Sequence, residues 1–240
     1  MLKLLIFLIL LTPTLSFSKN ITISINHDDG GKTSQSHLAN FLDALQASGC
    51  HAITHEDSNL PVQLLFDPAP HPHALKSHPD YELIAIAKTL NGDTEIRSAI
   101  VVRASSGLSE LDSLKESWFA FTSKNSWSGY LLSLKLLNEA NIDETNSHFY
   151  FTGNHIGSAA ALNHNDVQAA IIAEPLARRW ADHNQWYIVA VTEAIETGGW
   201  WIHKSVSSDV KLLCTSALTQ LKKSQHKVMP AWVDGFTEIK

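Results

Sequence analysis

The segment Trp118–Tyr130 reads WFAFTSKNSWSGY, and this stretch decides the fold class. Its first four residues, Trp118–Phe121, form an apolar run of strand length. After a short polar stretch, leucines at helical spacing predict a helix over residues 131–140. A strand that passes into a helix through a turn of serines and glycine is the start of a βαβ unit.

The rest of the chain repeats this alternation. Short apolar runs predict further strands near residues 21–25, 64–66, 83–86, 99–102, 149–151, 169–173, 186–191 and 200–202. Helices are predicted near residues 38–45, 131–140, 158–162, 175–182 and 210–221, and Gly49 ends the first of them. The predicted fold class is therefore α/β, with parallel-rich sheets flanked by helices.

Composition bounds the class of protein further. The chain has 240 residues, 44% of them hydrophobic, which suits one large domain or two small lobes and excludes disorder as its main state. Its formal net charge of −6 disfavours nucleic acid as a partner, because phosphates need an excess of Lys and Arg. The two cysteines, Cys50 and Cys214, could form a disulfide or remain free thiols, and the sequence leaves both open.

The first eighteen residues have the pattern of a targeting segment. Lys3 gives a basic start, Leu4–Leu11 is an unbroken apolar run, and Ser16–Ser18 offers small residues for a signal peptidase. We expect a signal peptide over residues 1–18, cleaved near Lys19, and a mature protein in the periplasm. An uncleaved anchor is the alternative, although eight apolar residues are too few to span a bilayer.

Five motifs follow one another in the middle of the chain: Arg97–Arg103 (RSAIVVR), Ser106–Lys115 (SGLSELDSLK), Asn125–Tyr130 (NSWSGY), Phe151–His155 (FTGNH) and Asn165–Ile171 (NDVQAAI). In order and spacing they resemble the phosphonate-binding family of periplasmic solute-binding proteins, the receptors of phosphonate and phosphite ABC transporters. The resemblance covers about a third of the chain, between residues 96 and 174.

The resemblance implies the type II periplasmic binding-protein architecture, with two lobes and a central cleft. Lobe 1 would hold residues 19–102 and 200–240, and lobe 2 would hold residues 103–199. The implied function is a receptor, not an enzyme, that binds a phosphonate-like oxyanion and delivers it to an ABC permease. No cofactor or metal is expected, and the protein is expected to be a monomer.

The resemblance also implies ligand-binding residues, namely Ser126, Trp127, Ser128, Gly129, Tyr130 and His155. Hydroxyls and backbone N–H groups at a helix start can converge on an anion, and the helix dipole attracts it. His155 would be a further donor. Trp127 departs from the family, which usually has a small hydroxyl residue there. The alternative interpretation is that Ser126 only caps a helix and that His155 is a surface residue.

Three other functions are compatible with the sequence. The same fold could serve as an exported sensor that signals to a membrane histidine kinase. A metal-binding protein could use the histidines near residues 71–78, namely His71, His73 and His78. A hydrolase could combine Ser126 or Ser128 with His155 and Asp166, but the Gly-x-Ser-x-Gly pattern of a nucleophile elbow is missing.

Overall fold

The computed structural model describes residues 20–26, 34–58 and 60–239. The predicted signal peptide, residues 1–18, lies outside these ranges. The described residues form thirteen strands, namely β1 Ile21–Ile25, β2 Ala52–Thr54, β3 Leu64–Asp67, β4 Tyr81–Thr89, β5 Glu95–Ile96, β6 Ser98–Arg103, β7 Trp118–Phe121, β8 His148–Phe151, β9 Ala169–Ala173, β10 Trp186–Val191, β11 Ile195–Glu196, β12 Gly199–His203 and β13 Val233–Glu238.

Seven α-helices accompany these strands in the described part of the chain: α1 Gln35–Ala47, α2 His55–Ser58, α3 His71–Ser77, α4 Leu132–Glu139, α5 His155–Asn163, α6 Glu174–Asn184 and α7 Ser208–Thr219. A π-helical turn spans Trp127–Leu131 and leads into α4. Short 3-10 turns span Ala104–Ser106 and Leu111–Leu114. Within the described ranges, every helix is too short or too polar to cross a membrane.

The strands form two mixed sheets, which confirms the predicted α/β class. The first sheet has the order β13-β4-β12-β3-β1-β2, and the second has the order β10-β6-β9-β7-β8. At one end of each sheet, three neighbouring strands are parallel: β3, β1 and β2 in the first, and β9, β7 and β8 in the second. Each antiparallel pair within the two sheets involves β4, β6 or β12. These three strands lie next to β5 or β11 in the sequence, where the chain passes from one sheet to the other.

The chain crosses between the sheets through a small ladder of β5 and β11. The two strands are antiparallel, and Ile195 pairs with Ile96. We call the first sheet with its helices the first lobe, and the second sheet with its helices the second lobe. The sequence-based boundary at residue 102 falls inside β6, whose partners β9 and β10 both belong to the second sheet. We therefore propose that the lobes divide at the β5–β11 ladder instead.

The inner strand β6 of the second sheet is buried on both faces. In β6, Ile100 and Val102 pack in one apolar cluster with Leu137 of α4. Ala99 and Val101 point to the other cluster, which includes apolar residues of α5 and α6. Helices on both faces explain why this strand is a continuous apolar run rather than an alternating one.

A disulfide bond joins Cys50 to Cys214 of α7, which decides between the two states that the sequence left open. Gly49 precedes the bond with φ of +88°, a conformation that glycine adopts easily, and it ends the α1 segment as predicted. The bond links residues separated by 164 positions, so it constrains a long loop of the unfolded chain.

Several helix starts differ from the sequence prediction, and α1 and α7, for example, begin at Gln35 and Ser208 rather than near residues 38 and 210. The helix predicted over residues 158–162 begins earlier, at His155, because Asn154 caps it: its Oδ1 accepts the Gly157 N–H at 2.8 Å. The helix predicted from residue 131 is preceded by the π-helical turn at Trp127–Leu131. The apolar pattern also does not predict the short elements α2, β2, β5 and β11, nor α3 and β13.

Candidate ligand-binding site

The carboxyl ends of β7, β8 and β9 meet at one edge of the second sheet. Residues 122–131 follow β7, Asn154 and His155 follow β8, and Glu174 follows β9. Because parallel strands bring their carboxyl ends to the same edge, residues far apart in sequence converge there. The edge faces the first lobe, since Trp127 contacts His73 of α3.

Ser126 caps the π-helical turn. Its Oγ accepts a hydrogen bond from the Gly129 backbone N–H at 3.0 Å, and its carbonyl accepts one from the Leu131 N–H at 2.9 Å. Ser126 is thus a helix cap, as the alternative interpretation expected. Accepting the Gly129 bond uses a lone pair of the Ser126 oxygen and not its hydroxyl proton.

Three contacts fix the backbone around Ser128. Gly129 lies so close to β7 that a Cβ on it would be 2.2 Å from Thr122 Oγ1. The Thr122 N–H donates to the Gly129 carbonyl at 3.3 Å. Ser98 Oγ donates to the Ser128 carbonyl at 2.8 Å from β6, two strands away from β7 in the sheet. The turn therefore has little freedom to move away from the sheet.

Ser128 and His155 form a buried pair, with Ser128 Oγ 3.1 Å from His155 Nε2. They are 1% and 2% exposed, so the surface position that the alternative interpretation gives His155 is wrong. The Ala173 N–H donates to His155 Nδ1 at 3.4 Å, which makes Nδ1 the unprotonated nitrogen and Nε2–H the donor to Ser128. The bond from His155 leaves the Ser128 hydroxyl proton available to a further acceptor.

Burial determines the charge of His155. It lowers the pKa of the imidazole from 6.5 to about 4, because the charged form loses its hydration in the protein interior. The ring is therefore neutral at pH 7. The hydrogen bond to Ser128 is made by a neutral imidazole, and the histidine adds no positive charge to the site.

The two aromatic residues of the motif lie in different surroundings. Trp127 is half-buried, and its ring centroid lies 4.4 Å from that of His73. Tyr130 packs behind the turn against Phe121 and Phe151, at centroid distances of 5.0 and 5.3 Å. Burial raises the pKa of Tyr130. The structure thus places Ser126, Ser128 and His155 together and directs the Tyr130 ring into an apolar cluster.

Glu174 is a buried acidic residue that the sequence interpretation missed. It directly follows β9, and its side chain, 9% exposed, pairs with Arg178 one turn later in α6. Its backbone N–H donates to the Arg97 carbonyl at 2.9 Å, which ties the end of β9 to the crossing segment. The signal in the sequence is an acidic residue placed between a fully apolar strand and Pro175.

Asp166 does not join the Ser128–His155 pair. It is exposed and precedes β9, whereas His155 contacts Ala173 at the other end of that strand. In a hydrolase triad the histidine donates its second nitrogen proton to a carboxylate, but here His155 Nδ1 accepts from a backbone N–H. The arrangement lacks the carboxylate that would orient a catalytic base.

The first lobe presents α3 to this edge. Asp67 Oδ2 is 2.8 Å from His78 Nε2, and Asp67 Oδ1 accepts the Ala69 N–H at 2.9 Å, so the loop and helix are held together. His71 stacks on the buried Trp201. The histidines considered as metal ligands thus have separate partners, and nowhere in the described residues do three His, Cys, Asp or Glu side chains converge on a metal position.

Comparison with known proteins identifies relatives of this chain. A family model described as ABC transporter, phosphonate, periplasmic substrate-binding protein matches residues 62–240. Curated proteins gave no significant match.

Solved structures share the fold. The PhnD1 protein of Prochlorococcus marinus, in complex with methylphosphonate, is 17% identical with a TM-score of 0.69, covering 93% of both chains. A binding protein component of an ABC phosphonate transporter from Pseudomonas aeruginosa is 16% identical with a TM-score of 0.66, covering 92% of this chain and 81% of its own. A Xanthomonas citri protein bound to ATP is 13% identical with a TM-score of 0.63, covering 92% of this chain and 91% of its own.

The family match covers well over half of the chain, and the fold agrees with it. The family consists of substrate-binding proteins of transport systems. The chain belongs to the phosphonate-binding family of periplasmic substrate-binding proteins of ABC transporters.

Proposed function

We propose that this protein binds a tetrahedral oxyanion of the phosphonate class between its two lobes, and that Ser126, Ser128 and His155 form the anion site. The observation that carries this proposal is the buried pair of Ser128 and His155 at the carboxyl edge of the parallel strands. It provides an oriented hydroxyl donor at the place where the two lobes face each other.

The donor arrangement follows from the fixed tautomer of His155. Because Nδ1 accepts from the Ala173 N–H, the Nε2–H donates to Ser128 and the serine hydroxyl is directed to another acceptor. An oxyanion oxygen is the strongest acceptor for such a hydroxyl. In this scheme His155 acts mainly by holding Ser128, rather than as the direct donor that the family resemblance implies.

Helix starts supply the attraction for negative charge. The turn at Trp127–Leu131 and helix α5 both begin at this edge, and each helix start carries a partial positive charge. The formal net charge of the chain is −6, so a local field and not overall charge would attract the anion. Arg103 does not supply this field, because its guanidinium donates to the carbonyls of Leu162 and Val167.

The remaining residues of the motif would shape the site. Gly129 lets the turn lie against Thr122, and Tyr130 would anchor the turn from behind through its aromatic neighbours. Trp127 would line the mouth of the site from the second lobe. None of these roles requires a cofactor.

The partner and location complete the proposal. We infer that residues 1–18 direct export and are removed, and that the mature protein works as a monomer in the periplasm. The loaded receptor would deliver its ligand to an ABC permease. Recovery of permease subunits with the tagged mature protein would support this partner, whereas recovery of a sensor kinase in their place would refute it.

Thermal unfolding of the mature protein with methylphosphonate, phosphite, phosphate and sulfate tests the ligand class. A ligand at one hundred times its dissociation constant stabilises the folded state by about 2.7 kcal/mol. For a chain of this size the midpoint should rise by roughly 5–10 °C. We expect such a rise with at least one phosphorus oxyanion and a smaller one with sulfate. No rise with any of the four anions would contradict the proposal.

A further inference from the structure

Trp127 holds an unusual place in the anion site. It lies directly between Ser126 and Ser128, which are 0% and 1% exposed, whereas Trp127 itself is only half-buried. Its backbone belongs to the turn that Thr122 and Ser98 fix against the sheet. The backbone of Trp127 is therefore held next to the proposed anion donors, and its large ring starts from that position.

The ring of Trp127 reaches the opposite lobe. Its centroid is 4.4 Å from that of His73, with an angle of 52° between the rings. The other aromatic ring pairs seen in the described part of the chain each lie within one lobe, whereas the Trp127–His73 pair is an aromatic contact across the cleft.

His73 is presented by a helix that is firmly held. On one side of it, His71 stacks on Trp201 with a centroid distance of 5.4 Å. On the other side, His78 pairs with Asp67 at 2.8 Å, and Ala74 between them is fully buried. The backbone of α3 is thus held by the first lobe, and the exposed His73 side chain extends from it to contact Trp127.

We propose that Trp127 and His73 form a size gate, which limits the ligand to a small tetrahedral oxyanion such as phosphite, phosphate or methylphosphonate. This inference rests on the proposed function. The Trp127 ring starts beside the anion donors and contacts His73 of the opposite lobe, so a substituent much larger than methyl would have to displace this ring pair. The same contact stabilises the closed arrangement, because it exists only when the lobes are together.

The chain contains a matched control for this pair. Trp118 and His148 also stack at a centroid distance of 4.4 Å, but they lie on β7 and β8 at the outer edge of the second sheet. Trp118 is 47% exposed there. Replacing this pair removes the same kinds of side chain and the same ring contact without touching the cleft.

The test is isothermal titration of phosphite, methylphosphonate and phenylphosphonate into wild-type protein and four variants: Trp127→Thr, His73→Ala, Trp118→Thr and His148→Ala. The readout is the ratio of dissociation constants for phenylphosphonate and methylphosphonate. We expect the wild-type ratio to be at least about 100, and Trp127→Thr to lower it by at least about tenfold. His73→Ala should weaken methylphosphonate binding by roughly threefold to tenfold, the worth of one aromatic contact.

The two control variants should leave both the ratio and the affinity for methylphosphonate unchanged. A wild-type protein that binds methylphosphonate, together with a Trp127→Thr variant that keeps the wild-type ratio, overturns the size gate and leaves the proposed function standing. A wild-type protein that binds no oxyanion overturns both. Circular dichroism and the unfolding midpoint of each variant separate loss of folding from loss of selectivity. If Trp127→Thr does not fold, a His73→Ala variant that binds methylphosphonate as tightly as wild type and keeps the wild-type ratio overturns the size gate.

Discussion

The buried neutral His155 makes the stability of this protein depend on pH in a predictable direction. The pKa of His155 is about 4 in the folded chain, and its ordinary value is 6.5 in the unfolded chain. Above pH 6.5 both states hold a neutral imidazole, so this group adds no pH dependence there. Below pH 6.5 the unfolded chain takes up a proton that the folded chain refuses, so the free energy of unfolding falls.

The size of this effect follows from the separation of the two pKa values. Between pH 6.5 and pH 4 the loss grows steadily, and below pH 4 it reaches about 3 kcal/mol. Domains are stable by only about 5–15 kcal/mol in total, so the loss from this single histidine is a substantial fraction of the free energy of unfolding.

Urea unfolding from about pH 7.5 to about pH 4.5 measures the effect in wild type and in His155→Gln. We expect the variant to be less stable than wild type at neutral pH. Because glutamine cannot gain a proton, the variant should lose less stability than wild type on acidification. The stability gap between wild type and variant should narrow by roughly 2–3 kcal/mol over this range. His164→Gln is the control, because His164 is exposed at the end of the same helix. The stability difference between wild type and this control should change by less than about 1 kcal/mol over the same pH range.

A gap for His155→Gln that stays constant with pH would refute the reasoning. It would mean that the imidazole is charged in the folded protein, or that it is hydrated there. The tautomer assignment, and with it the direction of the Ser128 hydroxyl, would then fall as well.

Three further predictions concern stability and are measured by the same urea unfolding. Replacing Cys50 and Cys214 together by serine should lower the free energy of unfolding by about 2–4 kcal/mol, because the unfolded chain loses a long-range constraint; an unchanged value would contradict this. Gly129→Ala should cost about 1–3 kcal/mol, since its Cβ would lie 2.2 Å from Thr122 Oγ1, and a neutral result would show that the turn can shift. Phe121→Ala should cost about 3–5 kcal/mol, because Phe121 is fully buried in its cluster, and a loss below 1 kcal/mol would indicate a loosely packed core.

The strands that the sequence predicts well include three continuous apolar runs. Trp118–Phe121, Ala169–Ala173 and Trp186–Val191 have the bounds that the apolar runs predict. Such runs can be recognised from the sequence without knowledge of the neighbouring strands, because every residue in them is apolar or aromatic. Helix bounds are predicted less accurately where a capping residue decides the start. Asn154 caps α5, which therefore begins three residues before the predicted start at residue 158.

The elements that the sequence misses depend on tertiary contacts. Helix α3 reads HPHALKS and has too few apolar residues to show helical spacing, so the Asp67–His78 pair and the burial of Ala74 hold it in place. Strand β13 contains Gly235 with φ of +127°, and its register with β4 shifts at this point. The glycine breaks the alternation that would otherwise predict a strand.

Only part of the candidate site could be predicted from the sequence. The motif around Ser126 and Ser128 and the position of His155 come from a local pattern, and the structure brings all three to one edge. The tautomer of His155 could not be predicted, because it depends on the Ala173 N–H of a different strand. The contact between Trp127 and His73 depends on how the two lobes face each other, which no local pattern contains.

The central claim is that an oxyanion binds at the Ser128 hydroxyl that His155 orients. Isothermal titration of methylphosphonate into wild type, Ser128→Ala and Ser208→Ala tests it most directly, because Ser208 is an exposed serine at the start of α7. Loss of one hydrogen bond to a charged ligand should weaken binding by roughly 10- to 100-fold in Ser128→Ala, with Ser208→Ala equal to wild type. Equal affinities in all three proteins would contradict the account.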